Sequence, residues 1–401
     1  MKSKITQHLE LIKENSVDLI SEEELTLKLE NSFEKNKPLK LKIGFDPTAK
    51  DIHLGHTVLL RKLRKLQDLG HQVYLIIGDF TAKIGDPSQR TALRPVLTDK
   101  EIKANAATYT QQVFKILNKK KTKIINNSIW YKKMGLSKFL SLLSSYTIAR
   151  ILERDDFSQR IKEGKPLTVL EIIYPLIQGY DSCKMEADIE FGGTDQKFNL
   201  IVGRHLQQTF GQPSQVVVTM PILVGLDGKN KMSKSLNNYI GVTEEPKSMF
   251  GKIMSISDQV MWEYIKLLSD LDPEQLRDKH PKEVKLNLAE SLVSFYHSKQ
   301  KALKERKEFE QVFSQGKLPE QVPILTIKDS CVNVVQALHD AKLVASKNEA
   351  RRLLSQGSIS STSILTGTAG YEVVREETIE IPSEGKILKA GKRRFLKIIR
   401  K

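Results

Sequence analysis

Two histidines three residues apart, His53 and His56, occur in the stretch GFDPTAKDIHLGH (44–56). If that stretch opens a helix, the pair shares one face beside the helix N-terminus. The unpaired backbone N–H groups and positive dipole of such an end form a site for phosphate. Two imidazoles there add directed donors for charge developing on phosphate oxygens. Gly55 between them removes the side chain that would keep a flat ring off the backbone, and Asp51 is placed to cap the helix. A second set, Lys231 and Lys234, lies in the Gly- and Ser-rich stretch LDGKNKMSKS (226–235). A loop of that composition can move, and its ammonium groups can close on phosphates as charge redistributes. Singly, each motif has an ordinary reading, as a helix start with surface histidines or as part of any basic surface. In this order on one chain, they point to chemistry on phosphates.

Such sites need a frame. LKLKIGF (39–45) alternates at period two, the pattern of a half-buried strand. After Pro47, Leu59, Leu63, Leu66 and Leu69 fall at helical spacing, and Gly70 is placed to stop the helix. VYLIIGDF (73–80) is a near-continuous apolar run, as in a buried parallel strand. Strand, helix and strand in that order make a βαβ unit. A second such region spans 170–225, where the apolar run 216–218 leads into the Gly-rich loop. The expected fold class is α/β, a Rossmann-like doubly wound parallel sheet with ligands at the carboxyl ends of its strands. Residues 1–245 are expected to form this catalytic domain, with a charged helical lead-in. Residues 246–325, rich in Lys, Glu, Leu and Gln, are expected to be an α-helical domain, and KLPEQVPIL (317–325) reads as a linker. Residues 331–401 form a third unit with 13 basic against 7 acidic residues.

Over the 401 residues, 64 Lys and Arg stand against 48 Asp and Glu, a net charge of +16 that favours a polyanion partner, nucleic acid first. With 28% charged and 39% hydrophobic residues, a mainly disordered chain and a membrane bundle are both excluded. No apolar run is long enough for a transmembrane helix, and the polar N-terminus lacks a secretory signal. Cys183 and Cys331 are the only cysteines. They fit a reducing cytoplasm and exclude a disulfide framework or a zinc ribbon.

HLGH (53–56) and KMSKS (231–235) resemble, in order, the two signatures of the class I aminoacyl-tRNA synthetases. IGDPSQRTALR (84–94), YPLIQGYD (174–181) and GGTDQ (192–196) make essentially the whole chain similar to the bacterial tyrosyl-tRNA synthetase family. That resemblance implies two steps. Tyrosine attacks the α-phosphate of ATP, giving tyrosyl-adenylate and pyrophosphate; the tyrosyl group then passes to the terminal ribose of tRNA(Tyr). Neither a covalent enzyme intermediate nor a general base is implied. Thr48, His53 and His56 would contact ATP phosphates, and Lys231 and Lys234 would hold the departing pyrophosphate. Arg90 and Arg94 match a mobile phosphate-contacting loop. Gly44, Asp46, Gly55, Gly193 and Asp195 match the ATP site, with Asp195 on the adenylate ribose and Gly193 letting the sugar approach. Asp86, Tyr174 and Gln178 match the site for the tyrosine α-ammonium, Gln196 would steer the carboxylate, and Asp181 would accept from the phenol. The resemblance further implies ATP with Mg²⁺ as the substrate complex, no metal held by the protein, a homodimer, a cytoplasmic location and no membrane.

One branch of the family has a tyrosine two residues before GFDPT and a cysteine one before. Lys42 and Ile43 stand there in this chain, in a KxGxDPT strand similar to the second bacterial branch. This strand is therefore not expected to reach the phenol or the ribose, and more of the specificity falls on Asp181. ASKNEARRLLSQGSI (345–359) resembles a small RNA-binding module shared with a ribosomal protein of the small subunit (the S-four type). Ser346, Arg351 and Arg352 would contact tRNA phosphates there, joined by Lys392, Arg393 and Arg394 in KAGKRRFLKIIRK (389–401). The run Lys115, Lys119, Lys120, Lys121 and Lys123 reads as a solvated face, with the acceptor stem as the alternative. Three rivals are distinguishable. A tryptophan-specific relative should lack the Tyr174–Gln178–Asp181 spacing and the basic module. A non-catalytic RNA-binding descendant should have broken signatures, and a nucleotidylyltransferase with HxGH has no use for the C-terminal module.

Overall fold

The computed structural model describes residues 2–88, 97–314, 322–364, 370–391 and 394–401. The chain divides into two compact units, Met1–Tyr296 and His297–Lys401.

A six-stranded sheet organises the first unit: β1 (Asp18–Ile20), β2 (Lys40–Phe45), β3 (Gln72–Ile77), β4 (Thr122–Asn126), β5 (Ile189–Gly193) and β6 (Val216–Met220). Their spatial order is β1-β6-β5-β2-β3-β4. All neighbours are parallel except the edge pair of β1 with β6. The chain lays down β2, β3 and β4 on one side, then returns to place β5 and β6 on the other side of β2. Strand order thus reverses between β2 and β5, and the doubly wound rule puts the ligand crevice at their carboxyl ends. The period-two reading of β2 as half-buried is corrected here. Leu41, Lys42 and Ile43 are consecutively buried, at 0%, 1% and 1% exposure. A central parallel strand is covered on both faces, so its alternation carries no solvent side.

Four helices precede or follow the early strands: α1 (Lys2–Lys13), α2 (Glu22–Glu34), α3 (Leu54–Asp68) and α4 (Asp99–Val113). Leu54, Leu60, Leu63 and Leu66 of α3 are fully buried, while Leu59 and Leu69 of the expected stripe are half-buried. The helix stops before Gly70, whose φ of +106° suits only glycine without cost. Its N-cap is His53, in extended backbone, and not Asp51 as the sequence indicated. The helices Pro246–Met254, Asp258–Leu268 and Pro281–Tyr296 belong with this first unit. Arg61 of α3 pairs with Asp270 at 2.7 Å and lies 4.6 Å over the Phe295 ring. Tyr264 donates to the Val224 carbonyl at 2.7 Å. Compactness therefore breaks at 296/297 and not at the expected 245/246, because these long-range contacts bind the helices to the sheet domain.

The second unit carries the helix Lys299–Ser314 and a five-stranded sheet ordered Glu372–Val373, Ile359–Ser363, Lys386–Ala390, Arg394–Arg400, Ile324–Ile327. Helices Val334–Asp340 and Lys347–Ser355 close its core, where Leu338, Ile359, Leu388 and Leu396 are fully buried. Ile324 and Leu325, read as linker, pair in parallel with Lys397 and Ile398. Residues 317–321 of that linker lie outside the described residues.

A buried histidine pair joins α1 to the sheet domain. His71 Nδ1 accepts from the Leu39 N–H at 3.3 Å, so its Nε2 carries the proton and donates to His8 Nδ1 at 2.9 Å. Burial depresses both rings, His71 to about 4. A folded state that refuses protons loses stability wherever the unfolded chain accepts them. This contribution is complete above pH ~6.5 and disappears as pH falls toward the depressed value. His71→Asn keeps an acceptor for Leu39 but cannot titrate. Urea midpoints should therefore show wild type losing about 2 kcal/mol more than the variant between pH 6.5 and 4.5; parallel curves would contradict this.

Candidate active site

A cleft of about 1000 Å³ opens at the carboxyl ends of β2, β3 and β5. The two sequence signatures meet along it by backbone hydrogen bonds. The Leu54 N–H donates to the Ile240 carbonyl at 2.9 Å, and the Val242 N–H to the Ile52 carbonyl at 3.0 Å. The HLGH turn is thus tied to the segment following KMSKS. His53 and His56 lie with ring centroids 3.9 Å apart, and His56 Nδ1 accepts from the His53 N–H at 3.3 Å. His53 Nδ1 is buried against the helix start beside Gly55. A Cβ on Gly55 would sit 3.0 Å from the His53 ring; glycine is what lets that ring lie flat. Burial depresses both histidines, helped for His53 by His56 and for His56 by Lys234, with His56 held at about 4. Near neutral pH both rings are uncharged.

The cations come from the KMSKS loop. Lys234 donates to the Asp51 carbonyl, and burial lowers its ammonium pKa. Lys231 lies 3.6 Å from the Asp195 carboxylate. Burial raises the Asp195 carboxyl, an effect that Lys231 opposes. A Cβ on Gly193 would come within 2.7 Å of Asp195 Oδ1, so this glycine seats the carboxylate as well as opening the site. Asn238 fixes the loop itself. Its Oδ1 accepts from the Ser233 N–H at 2.8 Å, while Nδ2 donates to the Lys231 carbonyl at 3.1 Å and to Asp227 at 3.0 Å. Gly225 leaves room for that amide, since a Cβ there would lie 2.2 Å from it.

Deeper in the cleft, Tyr174, Gln178 and Asp181 project from one face of the helix Val169–Met185, as positions four and seven residues apart must. Asp181 is 3% exposed and accepts from Trp130 Nε1 and Tyr131 Oη at 2.9 Å each, and from Asn127 Nδ2 at 3.2 Å. Burial pushes its carboxyl up to about 6 against the pull of Lys42 and these donors. Asn127 also reaches Thr81 Oγ1 at 3.2 Å, Thr81 donates to Asp46 at 2.6 Å, and Tyr174 donates to Asp46 at 2.8 Å. A hydrogen-bonded chain therefore runs from Asp181 to Asp46 and Tyr174. Asp86 accepts from Gln196 at 2.7 Å. Gln178 donates to Gln196 at 3.4 Å and accepts from Asn199 at 2.9 Å.

Every ATP and tyrosine residue named from the sequence lines this one cleft, except Arg90 and Arg94, which lie outside the described residues. Sequence reasoning missed Asn127, Trp130, Tyr131, Asn199 and Asn238. None carries a spacing signal, because the segment 127–131, Asn199 and Asn238 reach the site from three separate parts of the chain. In the second unit, Ser346 spends its hydroxyl capping the helix Lys347–Ser355. Arg351 pairs with Glu377 at 3.1 Å and Arg394 with Glu349 at 2.8 Å, and Arg352 is exposed. Lys392 and Arg393 lie outside the described residues. Within the lysine run, Lys115 donates to the Tyr296 carbonyl at 3.2 Å, Lys121 to the Gln67 carbonyl at 2.6 Å and Lys123 to the Tyr74 hydroxyl at 3.3 Å. Among the described residues, no helix is long and apolar enough to cross a membrane.

The profile of the family described as tRNA synthetases class I (W and Y) matches residues 34–315. A tyrosine–tRNA ligase of Desulfotalea psychrophila is 48% identical, covering 98% of this chain and 98% of its own length. The tyrosine–tRNA ligase of Aquifex aeolicus is 47% identical with the same coverage, 98% of each chain. Among solved structures, tyrosyl-tRNA synthetase from Archaeoglobus fulgidus complexed with L-tyrosine superposes with a TM-score of 0.61 at 26% identity, covering 75% of this chain and 99% of its own. With the two signatures converging on one cleft and relatives matching from end to end, the chain belongs to the class I aminoacyl-tRNA synthetases, in the family of tyrosine–tRNA ligases.

Proposed function

We propose that this cleft joins tyrosine to ATP and then hands the tyrosyl group to tRNA(Tyr), with the following division of labour. The supporting observation is Asp181, a buried carboxylate with three protein donors that still lines the cleft. It is an acceptor of the kind a phenol hydroxyl needs. Asp86, Tyr174 and Gln178 surround the α-ammonium, and Gln196 orients the carboxylate toward the α-phosphate. That carboxylate is already an anion, so the attack needs no general base. Catalysis is positioning plus electrostatic stabilisation of the pentacoordinate phosphorus. Thr48, His53 and His56 hold the phosphates, while Lys231 and Lys234 follow the charge onto the leaving pyrophosphate. Asp195 holds the ribose, and Gly44, Asp46 and Gly55 shape the nucleotide site. Arg90 and Arg94 are assigned to the ATP phosphates by the family resemblance.

ATP enters as its Mg²⁺ complex. Among the described residues no group of three His, Cys, Asp or Glu side chains is placed to hold a metal. The reaction belongs in the cytoplasm, where tRNA is charged. A homodimer is supported by exposed apolar side chains concentrated before the Val169 helix and at its start: Leu136 and Val169 at 73%, Ile148 at 62% and Leu140 at 55%. Solvated apolar groups gathered in one segment mark an interaction surface. Sedimentation equilibrium should give twice the 45.6 kDa chain mass; a single-chain mass at micromolar protein would contradict the dimer.

Residues 246–325 are assigned to the anticodon stem and 331–401 to tRNA phosphates through Ser346, Arg351, Arg352, Lys392, Arg393 and Arg394. Phosphate contacts release counterions, about 0.9 per contact on a duplex. Charging assays on tRNA(Tyr) transcripts with Arg351→Ala/Arg352→Ala should show weaker tRNA binding and a log–log salt slope shallower by about two. Tyrosine-dependent ATP–pyrophosphate exchange should be unchanged in that variant. Unchanged tRNA binding and salt slope, or a loss of exchange, would refute this assignment.

A further inference from the structure

Beneath the tyrosine pocket lies a buried ion pair, Lys42 of β2 with Glu190 of β5. Their Nζ and Oε1 are 2.7 Å apart and the two side chains are 1% and 2% exposed. Lys42 also donates to Ser182 Oγ at 2.7 Å and to the Gln178 carbonyl at 3.2 Å. Three acceptors thus meet the three hydrogens of an ammonium. Glu190 is satisfied in turn by Ser182 at 2.9 Å and by Gln215. Burying such a pair is a poor route to stability, since apolar residues of equal volume commonly do as well.

Its position points to another use. Gln178 and Ser182 bracket Asp181 on the helix Val169–Met185, so Lys42 grips the turn that presents two pocket residues. The charged and titratable groups around Asp181 come from several elements. They are Tyr131 from the short helix Ser128–Tyr131, Lys42 and Asp46 from β2 and the residue after it, Glu190 from β5, and Tyr174 and Cys183 from its own helix. Lys42 is the cation among them, and at low effective dielectric its field is felt.

We propose that Lys42 is a positioning residue for amino-acid choice, pinning the Gln178–Ser182 turn and supplying the positive charge that favours an anionic Asp181. The inference rests on Asp181 being the phenol acceptor. Without Lys42, only the Tyr131, Asn127 and Trp130 donors oppose burial at Asp181, and its carboxyl, already pushed up to about 6, rises further. An acid group then replaces the anion that the phenol donates to, and the loss is greatest at low pH.

The test is ATP–pyrophosphate exchange with tyrosine and with phenylalanine, from about pH 5.5 to 9, in wild type, Lys42→Met, Lys42→Met/Glu190→Gln and Asp181→Asn. The double variant removes both buried charges together, so neither is stranded if the single variant fails to fold. The acid limb of kcat/KM for tyrosine should move up by about one pH unit in Lys42→Met, and by a smaller amount in the double variant because the Glu190 charge leaves with it. The tyrosine-to-phenylalanine ratio should fall about ten-fold near pH 6.5 and return toward wild type above pH ~8.5. A folded double variant with the wild-type limb and ratio, losing activity uniformly if at all, would overturn the inference while leaving Asp181 as acceptor. An unchanged ratio in Asp181→Asn would instead overturn the reading of Asp181 itself.

Discussion

Asp181→Asn is expected to lower kcat/KM for tyrosine by about thirty- to a hundred-fold while changing phenylalanine little. The carboxylate accepts from Trp130, Tyr131 and Asn127, and in the proposed complex it accepts from the phenol as well. An amide offers one oxygen where four donors converge, and it turns an N–H₂ toward at least one of them. Losing a hydrogen bond to a charged group costs about 2–3 kcal/mol, which converts to that range of rates. Phenylalanine makes no such bond and has little to lose. Steady-state exchange with both amino acids measures the ratio directly. An equal loss for both would mean that Asp181 only supports the fold.

Lys234→Ala should lower kcat for adenylate formation about a hundred-fold and leave KM for tyrosine nearly unchanged. The ammonium is partly desolvated beside His56 and rests on the Asp51 carbonyl. A cation in that setting interacts far more strongly with charge developing on the phosphates than it would in water. Removing one preorganised electrostatic contact of this sort costs a factor of about 10² to 10³. An interaction made mainly in the transition state lowers kcat and kcat/KM together. Rapid-quench measurement of tyrosyl-adenylate separates the outcomes. A raised KM for tyrosine with kcat intact would place Lys234 in ground-state binding.

The parts of the site written in contiguous residues are legible in the sequence alone. HLGH, KMSKS and the Tyr174–Gln178–Asp181 spacing mark residues that meet in one cleft, because each depends on local geometry: a helix start, a glycine-rich loop, one helix face. What escapes such reading depends on distant pairing. Lys42 reads as the solvent face of an alternating strand, but β2 is central and covered on both sides. The lysine is tolerated inside only because Glu190 arrives from β5. Asp51 has the type of an N-cap, yet the backbone turns into α3 two residues later, at His53. The acceptor role proposed for Asp181 rests on the family resemblance of its motif. Its donors Trp130 and Tyr131 sit in a three-residue apolar run, 129–131, between Asn127-Ser128 and Lys132-Lys133, with no motif to mark them. Likewise the helices after residue 245 change in composition without leaving the first unit. Composition cannot report that Arg61 reaches Asp270 or that Tyr264 reaches Val224.

The central claim is that the cleft selects tyrosine and activates it with ATP. ATP–pyrophosphate exchange by the purified full-length chain, run in parallel with tyrosine and with tryptophan and without tRNA, tests it most directly. Exchange should depend on tyrosine and stay at background with tryptophan. Exchange driven by tryptophan and not by tyrosine would contradict the account.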